Sequence, residues 1–452
     1  MSAPGLSVAT LSLTEWLELL ESRHPKAIDL GLERCREVWQ RMGSPRPAAR
    51  IITVAGTNGK GSTVAYLCGM LEALGHSFGS YTTPHLLQYN ERIQINGICT
   101  RDEPLLEAFE TVEAARGQVS LSYFEFGTLA AIHILSRAGL DFALMEVGLG
   151  GRLDAVNILD TDCALITPIG LDHQEYLGED RESIGREKAG IIRRNTPLIC
   201  GEADPPASIL AAAEAVQAPL WRLGREFEAY PKDGSMRFRK GQINCLLPAP
   251  QMGGDHQLNN MATALAALLE VLPETKDKIP LLVRGLENVA VPGRLQQVST
   301  RPLVMIDVGH NPMAAEAVAR VLQDSMKGRP GSRCRCVIAM LADKDAASVA
   351  GILGSLVSDW YCAGLPGDRG QTGAELAARI GSGSGGESIH VCPDVDQALD
   401  QALEVSSPED CILVFGSFLT AGAALDRCSG SDLQASHLAR KGLLNTAKIA
   451  LS

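Results

Sequence analysis

The run Val54-Ala55-Gly56-Thr57-Asn58-Gly59-Lys60-Gly61-Ser62-Thr63 combines glycines, one lysine and hydroxyls in the manner that anionic oxygens require. An apolar stretch (Ile51, Ile52, Val54) precedes it, and a helical pattern (Val64, Leu67, Leu71, Leu74) follows. Strand, glycine-rich turn and helix opening make a phosphate-binding loop: backbone N–H groups turn inward, the helix N-terminus favours negative charge, and Lys60 reaches the terminal phosphates. The strict Walker pattern is not met, because Val54 stands where its first glycine belongs and Gly61 separates Lys60 from Ser62 and Thr63. Phosphate binding is the chemistry, and ATP is the ligand it suggests.

Further polar residues stand just beyond apolar runs, where open α/β sheets place their ligands. Thr83, Pro84 and His85 follow residues 77–82, and Glu146 ends 141–147. Asp172 and His173 follow 162–167, and Asp307, His310, Asn311 and Pro312 close 303–308. Singly, each has a plain structural alternative, a satisfied carboxylate or a packed histidine. Together, beside a phosphate loop, they point to a nucleotide and metal site. ATP brings Mg²⁺, which takes oxygen ligands and keeps several waters. Thr83 and Glu146 can supply oxygens, and His173 a nitrogen to a second ion. The charged run Arg186-Glu187-Lys188-Ala189-Gly190 reads, on its own, as a solvated helix end.

The elements that must position these residues are legible as alternation. Ser12 and Glu15 form a capping box ahead of Leu13, Trp16, Leu17 and Leu20. Strands are predicted at 51–55, 77–82, 141–147 and 162–167, with helices at 62–74, 102–115 and 125–138 between them. Residues 218–250 read as a small β-excursion, followed by a helix over 259–272. A second alternating series has strands at 303–308, 335–341, 358–363, 389–392 and 411–416, with helices at 312–326, 345–357, 372–380 and 394–405. The fold class is therefore α/β: an N-terminal P-loop-type ATPase domain with a mostly parallel sheet, over 1–292, and a C-terminal Rossmann-like domain over 293–428. Gly328–Arg333 and Gly381–Glu387 read as loosely ordered, and 429–452 as a polar helical tail.

Composition sets the bounds. Apolar content of 45% and charged content of 21% describe a globular protein. A net charge of -12 argues against nucleic acid and anionic membrane as partners. The twelve cysteines are scattered, without a CxxC pair, which suits a reducing compartment. No leader-like or membrane-spanning run stands out, so a cytoplasmic location is expected, and a monomer with it.

Five ordered stretches resemble the folate branch of the Mur ligase superfamily, that of folylpolyglutamate synthase and bifunctional dihydrofolate synthase. They are the loop 56–62, Thr83-Pro84-His85-Leu86, the run 146–154 from Glu146 to Asp154, Arg186-Glu187-Lys188-Ala189-Gly190-Ile191, and Asp307-Val308-Gly309-His310-Asn311-Pro312. The likeness runs from about residue 12 to about 425. It implies an ATP-dependent amide ligase that adds L-glutamate to dihydropteroate and further γ-linked glutamates to reduced folates, through an acyl phosphate. By motif, Gly56, Thr57, Asn58, Gly59, Lys60, Gly61, Ser62, Asn260, Arg294 and Asp307 would contact ATP. Thr83, Glu146, His173 and Lys188 would serve two Mg²⁺ ions, with Lys188 carbamylated, and Lys60, Lys188 and His173 would carry catalysis.

Asp29-Leu30-Gly31-Leu32, Ser122-Tyr123-Phe124-Glu125 and Leu153-Asp154-Ala155 resemble dihydropteroate-binding segments, and the resemblance makes His310 and Ser417 candidates for the glutamate site. Leu419 stands after Phe418 where the family often has histidine. Within the class, a monofunctional polyglutamate synthase is the alternative; outside it, a nucleotide-dependent switch or binding protein.

Overall fold

The computed structural model describes residues 11–24, 29–232, 235–329, 331–381 and 388–429. Two compact units emerge. The first holds the described residues up to Gly170 together with Gln174–Pro250 and Leu258–Val289; the second holds Leu171–His173, Gln251–Gln257 and the described residues from Ala290 on.

The first unit is built on eight strands: β1 (Arg50–Ala55), β2 (Phe78–Tyr81), β3 (Ile93–Ile95), β4 (Ile98–Cys99), β5 (Phe142–Glu146), β6 (Cys163–Ile166), β7 (Leu198–Cys200) and β8 (Leu220–Arg222). Their order is β4-β3-β2-β5-β1-β6-β7-β8. From β2 to β8 the neighbours pair parallel; β3 pairs antiparallel with β2, and β4 with β3. All but the first residue of β1 are buried, as expected of a central parallel strand covered on both faces. The register sets Val54 opposite both Glu146 and Leu165, so the strands that carry the candidate residues end at one edge.

Helices Leu13–Arg23 and Tyr123–Ser136 both open on Ser/Glu capping boxes, Ser12 with Glu15 and Ser122 with Glu125. The two helices share a core in which Trp16, Phe109 and Phe126 meet at ring separations of 5.5–6.0 Å, Phe109 edge-on to both of the others. The first unit also contains β9 (Phe227–Lys232), β10 (Ser235–Lys240) and β11 (Ile243–Leu247), an antiparallel three-stranded sheet.

The second unit's sheet comprises β12 (Gln296–Thr300), β13 (Leu303–Asp307), β14 (Cys334–Ile338), β15 (Asp359–Ala363), β16 (Ser388–Cys392) and β17 (Cys411–Phe415), in the order β12-β13-β17-β14-β15-β16. All pairings are parallel except β12 with β13.

The α/β reading holds, with three differences of detail. The 218–250 excursion divides: Leu220–Arg222 extends the large sheet beside β7, and only 227–247 forms the small one. β3, β4 and β7 are short enough to leave no periodicity in the sequence, and β12 is a half-polar edge strand. The expected helix over 345–357 is Ala346–Leu353, ending at Gly354. The stretch 382–387 and the tail from 430 lie outside the described residues.

Trp16 is fully buried among Phe109 and Phe126. Trp16→Ala should lower the unfolding free energy of the first unit by about 3–5 kcal/mol, the usual cost of an aromatic-sized cavity, measured by urea denaturation. A change under about 1 kcal/mol would show that this aromatic cluster does not anchor the N-terminal helix.

Candidate functional site

The loop leaves β1 through Gly56 (φ +150°) and enters helix Lys60–Leu74 through Gly59 (φ +87°). A Cβ on Gly59 would lie 2.5 Å from the Asn260 Oδ1, so the positive φ and the close approach both demand glycine. Thr57 is pinned on both sides: its N–H donates to Pro168 O at 2.9 Å and its hydroxyl to Gly170 O at 3.1 Å. Thr63 turns its hydroxyl back onto Gly59 O at 2.8 Å. Lys60 Nζ arches over the loop to Gly56 O (3.1 Å) and Thr57 O (3.2 Å). Lys188, buried at the end of helix Arg181–Lys188, donates its Nζ to the same Gly56 O at 2.9 Å. Two ammonium groups therefore meet on one carbonyl oxygen. The solvated helix end read from residues 186–190 alone is thereby corrected for Lys188, since the strand-end loops enclose it.

Beside this loop, Glu146 is 4% exposed and accepts from Thr83 N–H at 3.1 Å through Oε2. The same oxygen lies 3.7 Å from where a Cβ on Gly61 would sit. A buried carboxylate in contact with a threonine supplies oxygens that suit Mg²⁺ on a nucleotide, an ion that needs few protein ligands, while the helix N-terminus beside them favours the phosphate oxygens. Among the described residues no group of three or more His, Cys, Asp or Glu is placed to hold a metal by itself. His173 lies in the segment Leu171–His173, which groups with the second unit, so the first unit brings together Thr83, Glu146, Lys60 and Lys188 without it.

The residues expected to hold the acceptor also converge. Gly31 N–H donates to Leu153 O at 3.3 Å, joining the 29–32 and 153–155 segments. Arg34, which the sequence reading missed, ties Asp29 (2.7 Å) to Glu125 (3.1 Å), residues 96 positions apart in the chain's numbering from 29 to 125. Only tertiary structure reveals that bridge. Ser122 and Glu125 cap their helix, and Phe124 fills the space over Gly148, where a Cβ would come within 2.6 Å of its ring. Asp154 is buried and accepts from Leu149 N–H and Val156 N–H, each at 2.9 Å. Burial pushes its pKa up to about 7, against the pull of those N–H groups and of Lys60. His85 accepts from Arg92 Nε at 2.9 Å, and burial with the adjacent guanidinium lowers its pKa to about 4.

In the second unit, Asp307 accepts from Leu295 N–H (2.9 Å) and Gly309 N–H (2.7 Å), and its burial raises its pKa against the pull of Arg294. Arg294 lies over the Phe418 ring at 5.6 Å. Asp172 receives Lys344 Nζ at 2.6 Å and His310 Nε2 at 3.3 Å. Hydrogen bonding to His310 and the neighbouring cations hold the Asp172 carboxyl far below the usual range despite its burial. Lys344 is absent from the sequence-derived set, although the strand-end rule applied after β14 marks it. Ser417 bonds Thr420 through its hydroxyl at 2.6 Å and accepts from Thr420 N–H, so it caps the last helix.

A parallel sheet with a phosphate loop after its central strand, followed by a second α/β unit, defines an ATP-dependent ligase of the Mur class. The family described as Mur ligase middle domain matches residues 54–268, and Mur ligase, glutamate ligase domain, matches 293–418. The chain is 43% identical to the dihydrofolate synthase/folylpolyglutamate synthase of Escherichia coli (strain K12), over 92% of this chain and 96% of the relative. It superimposes with a TM-score of 0.86 on E. coli FolC in complex with DHPP and ADP, at 41% identity, covering 93% of this chain and 99% of that one. A bifunctional folylpolyglutamate synthase/dihydrofolate synthase with Mn, AMPPNP and L-glutamate bound gives a TM-score of 0.83 at 40% identity, covering 92% and 98%. The chain belongs to the dihydrofolate synthase/folylpolyglutamate synthase family.

Because the folded Asp154 pKa lies above that of an unfolded aspartate, its stability contribution is full below about pH 4 and is lost as pH rises towards about 7. Asp154→Asn removes this titration. The unfolding free energy of the parent minus that of the variant should therefore fall as pH increases across about 4–7; a flat difference would refute the raised pKa.

Proposed function

We propose that the chain joins L-glutamate to dihydropteroate and then extends reduced folates by γ-linked glutamates, each time at the expense of ATP. The observation that carries the reading is the meeting of Lys60 and Lys188 on Gly56 O, beside the Glu146–Thr83 contact.

The acceptor carboxylate attacks the γ-phosphorus, the bond to the bridging oxygen breaks, and ADP leaves an acyl phosphate. The glutamate amine then attacks the acyl carbon, loses a proton, and inorganic phosphate departs. Lys60 neutralises charge on the transferring phosphoryl group, and the loop N–H groups hold its oxygens. Thr83, Glu146 and His173 are the residues we assign to Mg²⁺, two ions in all, which screens phosphate charge when bound. We assign Lys188 a carbamate, formed with CO₂, whose anionic oxygens would serve the second ion. The burial of Lys188 against the loop supports that assignment, because it would keep a carbamate out of bulk water.

Asn260, Arg294 and Asp307 are assigned to ATP, and His310 and Ser417 to glutamate. The acceptor is assigned to the segments 29–32, 122–125 and 153–155, where Tyr123 and Phe124 offer rings to stack on and Asp154 an acceptor for the pterin's N–H edge. All twelve cysteines are free thiols, which supports a cytoplasmic enzyme, and we take the working form to be a monomer. Among the described residues no helix is long and apolar enough to cross a membrane.

Phosphate release with ATP, glutamate and dihydropteroate should require all three, and replacing dihydropteroate by a reduced folate should sustain it. No turnover with dihydropteroate would leave a monofunctional synthase, and release independent of glutamate would favour a nucleotide switch. Lys60→Ala should cut kcat on the order of 10²–10³-fold with the fold intact by circular dichroism. Lys188→Ala should lose activity that short-chain carboxylates partly restore; a fully active variant removes the carbamate.

A further inference from the structure

Among the buried cations, Arg335 pairs with Asp410 at 2.8 Å, Lys344 with Asp172 at 2.6 Å, and Lys240 with Glu270. Arg92 differs. It is 8% exposed, yet among the described residues no carboxylate stands within ion-pair distance of it. Its neighbour Glu91 is engaged by the N–H groups of Leu86, Leu87 and Gln88. The guanidinium is instead held by geometry: Nε donates to His85 Nδ1 at 2.9 Å, and Cζ lies 5.1 Å from the Tyr89 ring and 5.5 Å from the Tyr123 ring. Its terminal nitrogens make no hydrogen bond among the described residues. Two aromatic faces offset part of the cost of burying this charge, and none of the anionic part.

The place of Arg92 gives the missing anion an identity. Its carbonyl accepts from Thr82 N–H at 2.9 Å, next to Thr83. Its ring partner Tyr123 adjoins Phe124, which packs over Gly148. Arg92 thus stands between the aromatic wall and the strand end that carries Thr83. A glutamylated acceptor has two carboxylates at its reacting end, a γ-carboxylate that attacks and an α-carboxylate that does not; dihydropteroate has only the one that reacts.

We propose that Arg92 binds the non-reacting α-carboxylate of a glutamylated acceptor, and so selects for γ-glutamyl extension over the first ligation. The proposal rests on the ligase reading. A planar guanidinium with both terminal nitrogens available matches a carboxylate in a two-point fork, which a lysine cannot reproduce.

The test compares acceptors in the full-length enzyme. In Arg92→Gln, kcat/KM for a reduced folate monoglutamate should fall roughly 10- to 100-fold relative to kcat/KM for dihydropteroate, chiefly through KM. Arg92→Lys should recover only part of that ratio. The parent should prefer the monoglutamate over its α-carboxamide, and Arg92→Gln should lose that preference, a result that mere loosening of the fold does not produce. Equal losses on both acceptors, or a carboxamide preference that survives the substitution, would overturn the assignment. A parent enzyme inactive on both acceptors overturns the ligase reading, and this inference with it.

Discussion

The carbonyl oxygen of Gly56 accepts from two ammonium groups, Lys60 at 3.1 Å and Lys188 at 2.9 Å. Two like charges on one carbonyl oxygen repel each other, and anionic oxygens beside them lower that cost. Such oxygens are at hand, since Glu146 stands beside the loop and the loop's geometry suits phosphates. The proposed carbamate would act on the same repulsion, because it would turn Lys188 from a second cation into an anion facing Lys60. On that proposal, phosphate binding and lysine modification would be two responses to one electrostatic constraint. That constraint depends on backbone geometry, since Gly56 and Gly59 bend the loop as side-chain-bearing residues would not, and Thr57 ties it to the 168–170 segment.

How much of this was legible in the sequence follows from the range of each interaction. Local signals transferred well: the capping box at Ser12, the alternation from β1 onwards, and the loop entering helix Lys60–Leu74 all depend on neighbours within a few residues. Two- and three-residue strands such as β3, β4 and β7 carry no periodicity to read, and sheet pairing with a longer neighbour defines them. At the site, residues at strand ends could be found by rule. Lys188 could not, because a charged helix end looks solvated until distant loops bury it. The Arg34 bridge to Asp29 and Glu125, and the unpaired Arg92, are likewise products of packing between segments far apart in sequence.

Several residues do two jobs, and this limits what a motif can say. Ser122 and Glu125 close a capping box, and Glu125 also receives Arg34. Ser417 caps the final helix, and Asn311 caps helix Pro312–Lys327 by accepting from Ala314 N–H. A carboxylate or hydroxyl already satisfied in this way is held in one orientation. It can serve a ligand only through its remaining lone pairs, so its contribution is positional accuracy more than strength.

The net charge of -12 makes most of the surface unattractive to anions, yet every reactant in the proposed reaction is anionic. The first unit answers this by placing cations at the phosphate loop. Lys60, Lys188 and Arg92 gather around the ends of β1 and β2 beside Glu146, whereas Asp29 and Glu125 meet at Arg34, and Asp154 lies on the segment that joins 29–32. Phosphates and carboxylates are drawn to the first group. The second suits a neutral ring with an N–H edge, and there Arg34 offsets the charge of Asp29 and Glu125 while burial pushes Asp154 towards its protonated form. In the proposed reaction, a reactant with an aromatic head and an anionic tail would be oriented with its tail to the phosphate loop before any step of the chemistry begins.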